Sequence, residues 1–189
     1  MAKRNREIEL KLKVKNSSFK KVCRLLQKKL NFNYSLYGFS KDLYWKAVDK
    51  NSADFIRLRF HSKKTGELTV KHQDKGDSFD RVEIDLTVNS PFQAKALLEQ
   101  LLGPSIGKIE KQYKVFFFDQ YNNISVYYIP DENALFIEIE ATSKQRLKSI
   151  TTNFYKIFPF ETELMNKSLF DLYINPCIKR SIHVINSRR

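Results

Sequence analysis

Arg6-Glu7-Ile8-Glu9-Leu10-Lys11 begins a strict alternation of charged and aliphatic residues that continues to Val14. Successive side chains of a β-strand point to opposite faces, so the pattern predicts a strand with Glu7, Glu9 and Lys11 on one face. Two neighbouring carboxylates suit a hard divalent cation, and a lysine beside them suits a phosphate oxygen. Taken alone, the motif is explained equally well by an exposed strand with a charged outer face.

A second acidic pair lies near the other end of the chain, in Phe136-Ile137-Glu138-Ile139-Glu140. Three further runs between the two pairs alternate in the same way, and each aligns polar residues on one face: Arg57 and Arg59; Thr69 and Lys71; Arg81, Glu83 and Asp85. Lys111, in a run that begins near Ile109, adds another cation. A solvent-facing sheet explains five such strands poorly. They predict a closed barrel with a polar lumen.

The order of elements supports this interpretation. Period-two patterns predict eight strands, at about 6–15, 34–47, 55–62, 67–73, 79–88, 108–119, 123–129 and 134–141. Helical spacing and caps predict four helices, at about 19–30, 91–102, 143–158 and 161–173. We therefore expect an α+β fold, in which an eight-stranded antiparallel closed β-barrel has a polar lumen and flanking helices cover its aliphatic outer surface.

Composition favours a single domain over residues 1–189, with a basic tail at about 175–189. Cys23 and Cys177 are too few for a disulfide framework, which favours a reducing compartment. The N-terminus lacks an apolar signal-peptide core, and no apolar run is long enough to span a membrane. A cytoplasmic protein without a membrane partner is expected.

The net charge of +13 favours polyanionic partners. The expected lumen residues do not supply this excess, because six bases and six acids nearly cancel: Lys11, Arg57, Arg59, Lys71, Arg81 and Lys111 against Glu7, Glu9, Glu83, Asp85, Glu138 and Glu140. The excess positive charge must therefore lie elsewhere. RNA could bind this basic surface and the tail residues Lys179, Arg180, Arg188 and Arg189, although a solvated lysine-rich surface explains the charge as well.

With these motifs, the sequence resembles the CYTH, or triphosphate tunnel metalloenzyme, superfamily, which includes class IV adenylyl cyclases and thiamine triphosphatases. The similarity runs from Glu7 to Tyr173 and follows the family's order. The matching segments are Glu7-x-Glu9-x-Lys11, Asp42-Leu43-Tyr44, Arg57-Leu58-Arg59, Thr69-Val70-Lys71, Arg81-Val82-Glu83-Ile84-Asp85, Phe136-Ile137-Glu138-Ile139-Glu140 and Lys167-Ser168-Leu169-Phe170-Asp171-Leu172. The ordered set is a much stronger signal than any single member.

The resemblance implies a tunnel that binds a triphosphate-containing small molecule or nucleotide together with Mg²⁺ or Mn²⁺. Glu7, Glu9 and Lys11 would be catalytic. The metal would be held by Glu7, Glu9, Glu138 and Glu140. The phosphates would be held by Lys11, Arg57, Arg59, Lys71, Arg81 and Lys111, with Glu83 and Asp85 as supporting acids.

Two positions depart from the family pattern. The sixth strand usually carries Lys-x-Arg, whereas this chain has Lys111-Gln112-Tyr113. An Asp often lies some eight residues before the closing strand's Phe, and Tyr128 stands there instead. The expected site therefore lacks one phosphate contact and one carboxylate near the metal, which predicts reduced or retuned catalysis.

Three functions follow as expectations. The first is a metal-dependent triphosphatase acting on inorganic triphosphate, a nucleotide or an RNA 5′ end. The second is a class IV adenylyl cyclase, which would use the same site to convert ATP to cyclic AMP and pyrophosphate. The third is a module that binds triphosphates or nucleic-acid ends without turnover. The group attached to the triphosphate would sit on loops at the tunnel mouth.

Overall fold

A computed structural model of the protein describes residues 3–46, 55–73 and 80–176, and for residues 3–7, 72–73 and 80–83 it describes the backbone. The described strands are β1 (Lys3–Val14), β2 (Tyr34–Lys46), β3 (Phe55–Phe60), β4 (Gly66–Gln73), β5 (Asp80–Val88), β6 (Gly107–Phe117), β7 (Asn123–Ile129), β8 (Ala134–Ala141) and β9 (Thr162–Leu164). The helices are α1 (Phe19–Lys29), α2 (Pro91–Leu102) and α3 (Lys144–Ile157), with a 3₁₀ turn at Pro130–Glu132 and a π-type helical segment at Phe170–Ile174.

All the strand pairs are antiparallel, and the long strands follow the order β5-β4-β3-β2-β6-β7-β8-β1. The first half of β1, from Lys3 to Ile8, pairs with β5, while Ile8–Val14 pairs with β8. The strand order therefore returns from β1 to β5. The predicted α+β class and antiparallel arrangement are confirmed.

Helices α1 and α3 cover the outer surface of β1, β7 and β8. The hydroxyl of Ser18 caps α1 by accepting a hydrogen bond from the Lys21 amide, and Ser143 caps α3 in the same way. Val22 and Leu26 of α1 are fully buried against the aliphatic side chains of these strands. The alternation that begins in β1 thus places its aliphatic residues beneath the helices and leaves the opposite face for polar groups.

Helix α2 covers a second part of the outer surface. Leu98 packs with Leu43, Trp45 and Leu58 on the outer faces of β2 and β3. Pro91 occupies the first position of the helix, as the sequence predicts, because its missing N–H has no partner to lose there. The predicted boundaries of this helix, and of the two helices at about 19–30 and 143–158, agree with the structure within two residues.

A third apolar cluster lies inside the ring of strands, at one end. It joins aromatic residues of the inner faces, such as Tyr44, Tyr127 and Phe136, to Phe170 and Ile174 of the final helical segment. The rings of Phe55 and Phe170 stack with centroids 4.8 Å apart. This end of the interior is therefore filled by apolar side chains, and mainly polar residues line the cavity beside it.

The fourth predicted helix, from Glu161 to Tyr173, is wrong in its first half. Thr162–Leu164 forms β9, which pairs with Leu12–Val14 of β1, and helical structure is limited to the region of Phe170–Ile174. The described strands accordingly number nine rather than the predicted eight. β1 offers backbone partners to β9, and these non-local hydrogen bonds override the local preference for a helix. Within the described ranges, no helix has the length and apolarity needed to cross a membrane.

Candidate functional site

A polar cavity of about 330 Å³ lies inside the ring of strands, next to the apolar end. Its charged lining residues are Glu9, Lys11, Arg57, Arg59, Glu67, Lys71, Asp85, Lys111, Glu138 and Glu140. Five of these are basic and five are acidic, so the described part of the cavity is balanced in charge, as the sequence predicts for the lumen. Ser168, Leu169 and Phe170 line it at the side of the final helical segment.

The acidic wall of the cavity is formed by β1 and β8. The register pairs Glu9 with Glu140 and Lys11 with Glu138, so the two motifs at opposite ends of the sequence become neighbours. Carboxylate oxygens of Glu9, Glu138 and Glu140 all lie within 4.8 Å of one another. The structure thus brings together three of the four residues that the sequence assigns to a metal.

The ammonium group of Lys11 lies within this acidic wall. Its Nζ is 2.9 Å from Glu138 Oε1 and 3.6 Å from Glu9 Oε1, and its side chain is almost completely buried. Burial alone would raise the pKa of Glu138, but the charge of Lys11 and its hydrogen bond hold that pKa well below its ordinary value. A buried cation is therefore stable between these carboxylates. Three neighbouring carboxylates are a suitable set of oxygen donors for a hard divalent cation.

Side chains of β7 orient the acidic wall. Asn123 Nδ2 donates to Glu140 Oε2 at 2.7 Å, and the Tyr127 hydroxyl donates to Glu138 Oε1 at 2.9 Å. The sequence analysis did not assign these two residues to the site. Their spacing of four residues in a strand places them on the same face, but an amide and a phenol carry no metal or phosphate signature of their own.

The basic wall lies on β2, β3 and β6 and is organised by Asp42. This carboxylate is fully buried and accepts hydrogen bonds from Arg59 Nε at 2.9 Å and Nη2 at 3.1 Å. It also forms an ion pair with Lys111 Nζ at 2.7 Å. Burial opposes ionisation, but the neighbouring cations hold the pKa of Asp42 well below its usual range. The resemblance singles out Asp42, whereas its role as the shared partner of two lumen cations emerges from the structure.

A hydrogen-bonded chain extends the basic wall to β4 and β5. Arg57 Nη2 donates to Thr69 Oγ1 at 2.8 Å and lies 3.2 Å from Glu67 Oε1. The Thr69 hydroxyl in turn donates to Asp85 Oδ1 at 2.7 Å. Asp85 therefore accepts the last hydrogen bond of this chain, and its role as a supporting acid stays a prediction. Glu67 was not predicted as a site residue.

The buried Lys111 holds its proton less tightly than an exposed lysine does. Burial and the nearby cations Arg59 and Arg57 lower its pKa to about 8, even though Asp42 acts in the opposite direction. The ammonium also lies 5.4 Å from the centre of the Tyr127 ring. This group can change protonation state near neutral pH.

Three predicted site residues have side chains outside the described part of the chain, namely Glu7, Arg81 and Glu83. Their backbones place Glu7 opposite Arg81 in the β1–β5 pair and Glu83 opposite Lys71 in the β4–β5 pair. The predicted tail residues Lys179, Arg180, Arg188 and Arg189 also lie outside the described residues.

The two departures from the family pattern have different structural outcomes. Tyr113 packs against the apolar cluster and covers Gly38 of β2, where an added Cβ would come within 2.7 Å of the tyrosine hydroxyl. Tyr128 packs against the outer core beneath α1 and α3, and its hydroxyl donates to Asn133 Oδ1 at 2.9 Å. The inner positions of β7 are therefore held by an amide and hydroxyl groups instead of a carboxylate.

No family model matches this sequence, and no curated protein matches it. Solved structures do match. HpAC1 from Hippeastrum, described as a candidate adenylyl cyclase with a dominant triphosphatase activity, has a TM-score of 0.66 at 15% identity, covering 89% of this chain and 95% of its own. A candidate adenylate cyclase from Bacillus halodurans has a TM-score of 0.63 at 16% identity, covering 90% and 98%.

A structure of the Mediator head module of Schizosaccharomyces pombe also contains a similar chain, with a TM-score of 0.60 at 9% identity over 84% of this chain and 98% of that one. The similarities to HpAC1 and to the Bacillus protein show that this chain shares their fold.

Proposed function

We propose that the protein is a metal-dependent triphosphatase that hydrolyses a triphosphate-containing substrate inside the cavity. The observation that carries this proposal is the placement of three carboxylates on one wall and of four cationic side chains across the same small cavity: Arg57, Arg59, Lys71 and Lys111. A triphosphate carries several negative charges and loses its hydration on entering such a space, so it needs dense cationic contacts.

The arginines and lysines divide the work of binding. Arg57 and Arg59 present planar guanidinium groups, which bind phosphate oxygens through two parallel hydrogen bonds. Lys71 and Lys111 supply compact charges that adapt to the phosphate positions. Arg81, whose side chain lies outside the described part, is proposed to join them.

The residues that fit a Mg²⁺ or Mn²⁺ ion are Glu9, Glu138 and Glu140, and Glu7 is proposed as a fourth. When bound, such an ion would neutralise charge on a phosphoryl group and polarise it toward attack by water. Lys11 now holds Glu138, and we propose that it turns to a phosphate oxygen when substrate and metal are present. Phosphoryl transfer depends mainly on positioning and charge stabilisation, so no protein nucleophile is required.

The test is phosphate release from inorganic triphosphate with Mn²⁺ in four variants, Glu7→Gln, Glu9→Gln, Glu138→Gln and Glu140→Gln. We expect each to lose at least about tenfold in kcat/KM at limiting metal, because even the hydrogen-bond partners of metal ligands are worth about 10–100-fold. Glu110→Gln is the matched control, since Glu110 is an exposed acid on β6 that pairs with Lys108.

Melting curves of all the variants distinguish a lost ligand from a lost fold. Full turnover in two or more of the four variants at low metal would contradict the assignment. A wild-type protein that releases neither phosphate nor pyrophosphate from any triphosphate would contradict the proposed activity itself.

A class IV adenylyl cyclase is the second candidate, favoured by the similarity to proteins described as candidate adenylate cyclases. The same cavity would then hold ATP while its 3′ hydroxyl attacks the innermost phosphorus and pyrophosphate leaves. Product analysis separates the two activities, since a cyclase produces cyclic AMP from ATP whereas a triphosphatase releases phosphate.

A module that binds triphosphates without turnover is the third candidate. It is favoured by Tyr113, which replaces a cation of the family pattern, and by the presence of a similar fold in the Mediator head module. It predicts tight triphosphate binding with no product. An RNA partner on the basic surface and a cytoplasmic location remain predictions from composition.

A further inference from the structure

The first part of β2 forms an exposed aromatic shelf beside the cavity. Among the described residues, β3 pairs with β2 from Lys41 to Lys46, and the preceding residues of β2 pair with β6 alone. Tyr34 and Leu36 are 49% and 55% exposed there. Two residues apart in a strand, they share a face, and it is the face that continues toward the buried Asp42.

The Tyr34 ring is stacked on Phe117, with centroids 4.5 Å apart and planes inclined by 13°. Phe117 itself lines the polar cavity, and so does Val115, the β6 partner of Leu36. One side of the Tyr34 ring is thus covered by Phe117, while about half of the residue remains open to solvent. The result is an aromatic pair at the edge of the cavity that is partly open to solvent.

The strand register connects this shelf directly to the acidic wall. Tyr34 lies opposite Phe117, Phe117 opposite Asn123, Asn123 opposite Glu140, and Glu140 opposite Glu9. Neighbouring strands lie about 4.8 Å apart, so Tyr34 is about 14 Å along the sheet from Glu140. The other end of the interior is filled by the apolar cluster around Phe170. A group attached to a triphosphate in the cavity therefore has its room on the Tyr34 side.

We propose that Tyr34, supported by Phe117, is a specificity-determining platform that stacks on a planar heteroaromatic group of the substrate. The preferred substrate class is then a nucleoside triphosphate and not inorganic triphosphate. This inference rests on the proposed binding of a triphosphate in the cavity. Every nucleobase offers a π face, so stacking on an exposed aromatic ring strengthens binding by about fivefold or more per base.

The experiment compares two ligands whose bridging methylene groups resist hydrolysis, a bismethylene analogue of ATP and the bismethylene analogue of inorganic triphosphate. Both are titrated calorimetrically into wild type and Tyr34→Ala. We expect wild type to bind the ATP analogue more tightly, and Tyr34→Ala to lose about fivefold or more of that affinity. Its affinity for the triphosphate analogue should stay unchanged, which also shows that the cavity is intact.

Two variants serve as controls. Tyr34→Phe keeps the stacking ring and should retain the preference for the ATP analogue. Tyr155→Ala removes a tyrosine that is 48% exposed on α3, against the outer core, and should change neither affinity.

The outcomes separate this inference from the proposed function. If wild type binds the triphosphate analogue and Tyr34→Ala changes both affinities equally or neither, the platform is overturned and the cavity remains a triphosphate site. A wild type with no preference for the ATP analogue also overturns the platform. If wild type binds neither analogue, with or without metal, the proposed function fails and this inference fails with it.

Discussion

The acidic and basic walls of the cavity are neutralised in different ways. On the basic wall, the counter-ion of Arg59 and Lys111 is Asp42, a fully buried carboxylate on a short side chain. On the acidic wall, the counter-ion of Glu138 and Glu9 is Lys11, an ammonium at the end of a flexible four-carbon chain. The short side chain of Asp42 has little freedom to move, whereas the longer side chain of Lys11 has more freedom to turn toward another partner.

This difference teaches which wall is preformed. Asp42 holds the cations of the basic wall in position before any ligand arrives, and its negative charge offsets part of their positive charge. Lys11 lies between the carboxylates of the acidic wall, and in the proposed function it leaves them for a phosphate oxygen, so that they become available to a cation. The largest effect on stability should therefore come from the fixed partner, and the largest effect on ion binding from the exchangeable one.

Asp42→Asn should destabilise the protein by about 3–5 kcal/mol, because it leaves two buried cations without their shared carboxylate. Urea denaturation followed by far-UV circular dichroism measures the change. The control is Glu161→Gln, which breaks an exposed ion pair with Lys15 and should leave the free energy of unfolding nearly unchanged. Equal, small changes in the two variants would show that Asp42 is not a structural partner.

Lys11→Met should raise the affinity for Mn²⁺ in the absence of triphosphate by about tenfold. The ammonium 2.9 Å from Glu138 competes with a divalent cation for the same carboxylate, and this competition ends when the charge is removed. Electron paramagnetic resonance of free Mn²⁺ gives the affinity directly. Lys114→Met is the control, since Lys114 lies on the outside and bonds to Gln27. Unchanged or weaker binding in Lys11→Met would refute the exchange.

The affinity for inorganic triphosphate should fall as the pH rises through about 8, because Lys111, with a pKa of about 8, then loses its charge. The groups that set this pKa are Arg59, Arg57 and Asp42, together with burial. Lys111→Arg should bind triphosphate with little change over pH 7–9, since guanidinium stays protonated. Calorimetric titrations at four pH values measure the profile, and a flat wild-type profile would disprove the role of Lys111.

The loss of the Lys111 proton with rising pH weakens triphosphate binding, but it affects folding stability in the opposite direction. The pKa of Lys111 is lowered from its ordinary value of 10.5 to about 8 in the folded protein. Between these values the unfolded chain holds a proton that the folded chain lacks. The contribution of this group to the free energy of unfolding therefore rises with pH across that window.

The alternating patterns made much of this architecture predictable, because successive side chains of a strand lie on opposite faces of the sheet. Glu9, Glu138 and Glu140 were expected together, and the β1–β8 register places them together. The three main helices were also predictable from caps and spacing. Lys11 was expected near phosphate, and in the structure it lies against Glu138, because opposite charges attract strongly where both side chains are largely buried.

The rest depends on contacts that the sequence does not display. β9 is three residues long and exists because β1 offers it backbone partners. The sequences of their own strands do not show that Asp42 and Glu67 lie beside lumen arginines, because the pairing of the strands brings them together. Tyr113 is a departure from the family pattern in the sequence, and only the structure shows that its ring packs into the apolar end.

The close contact between Tyr113 and Gly38 couples the substitutions that these two positions, far apart in sequence, can accept. A side chain at position 38 would meet the tyrosine ring, so alanine there becomes acceptable only when residue 113 is smaller or points elsewhere. Among descendants of a common ancestor, these two sites should therefore change in concert. A smaller residue at position 113 would free the space over residue 38, and glycine would no longer be required there.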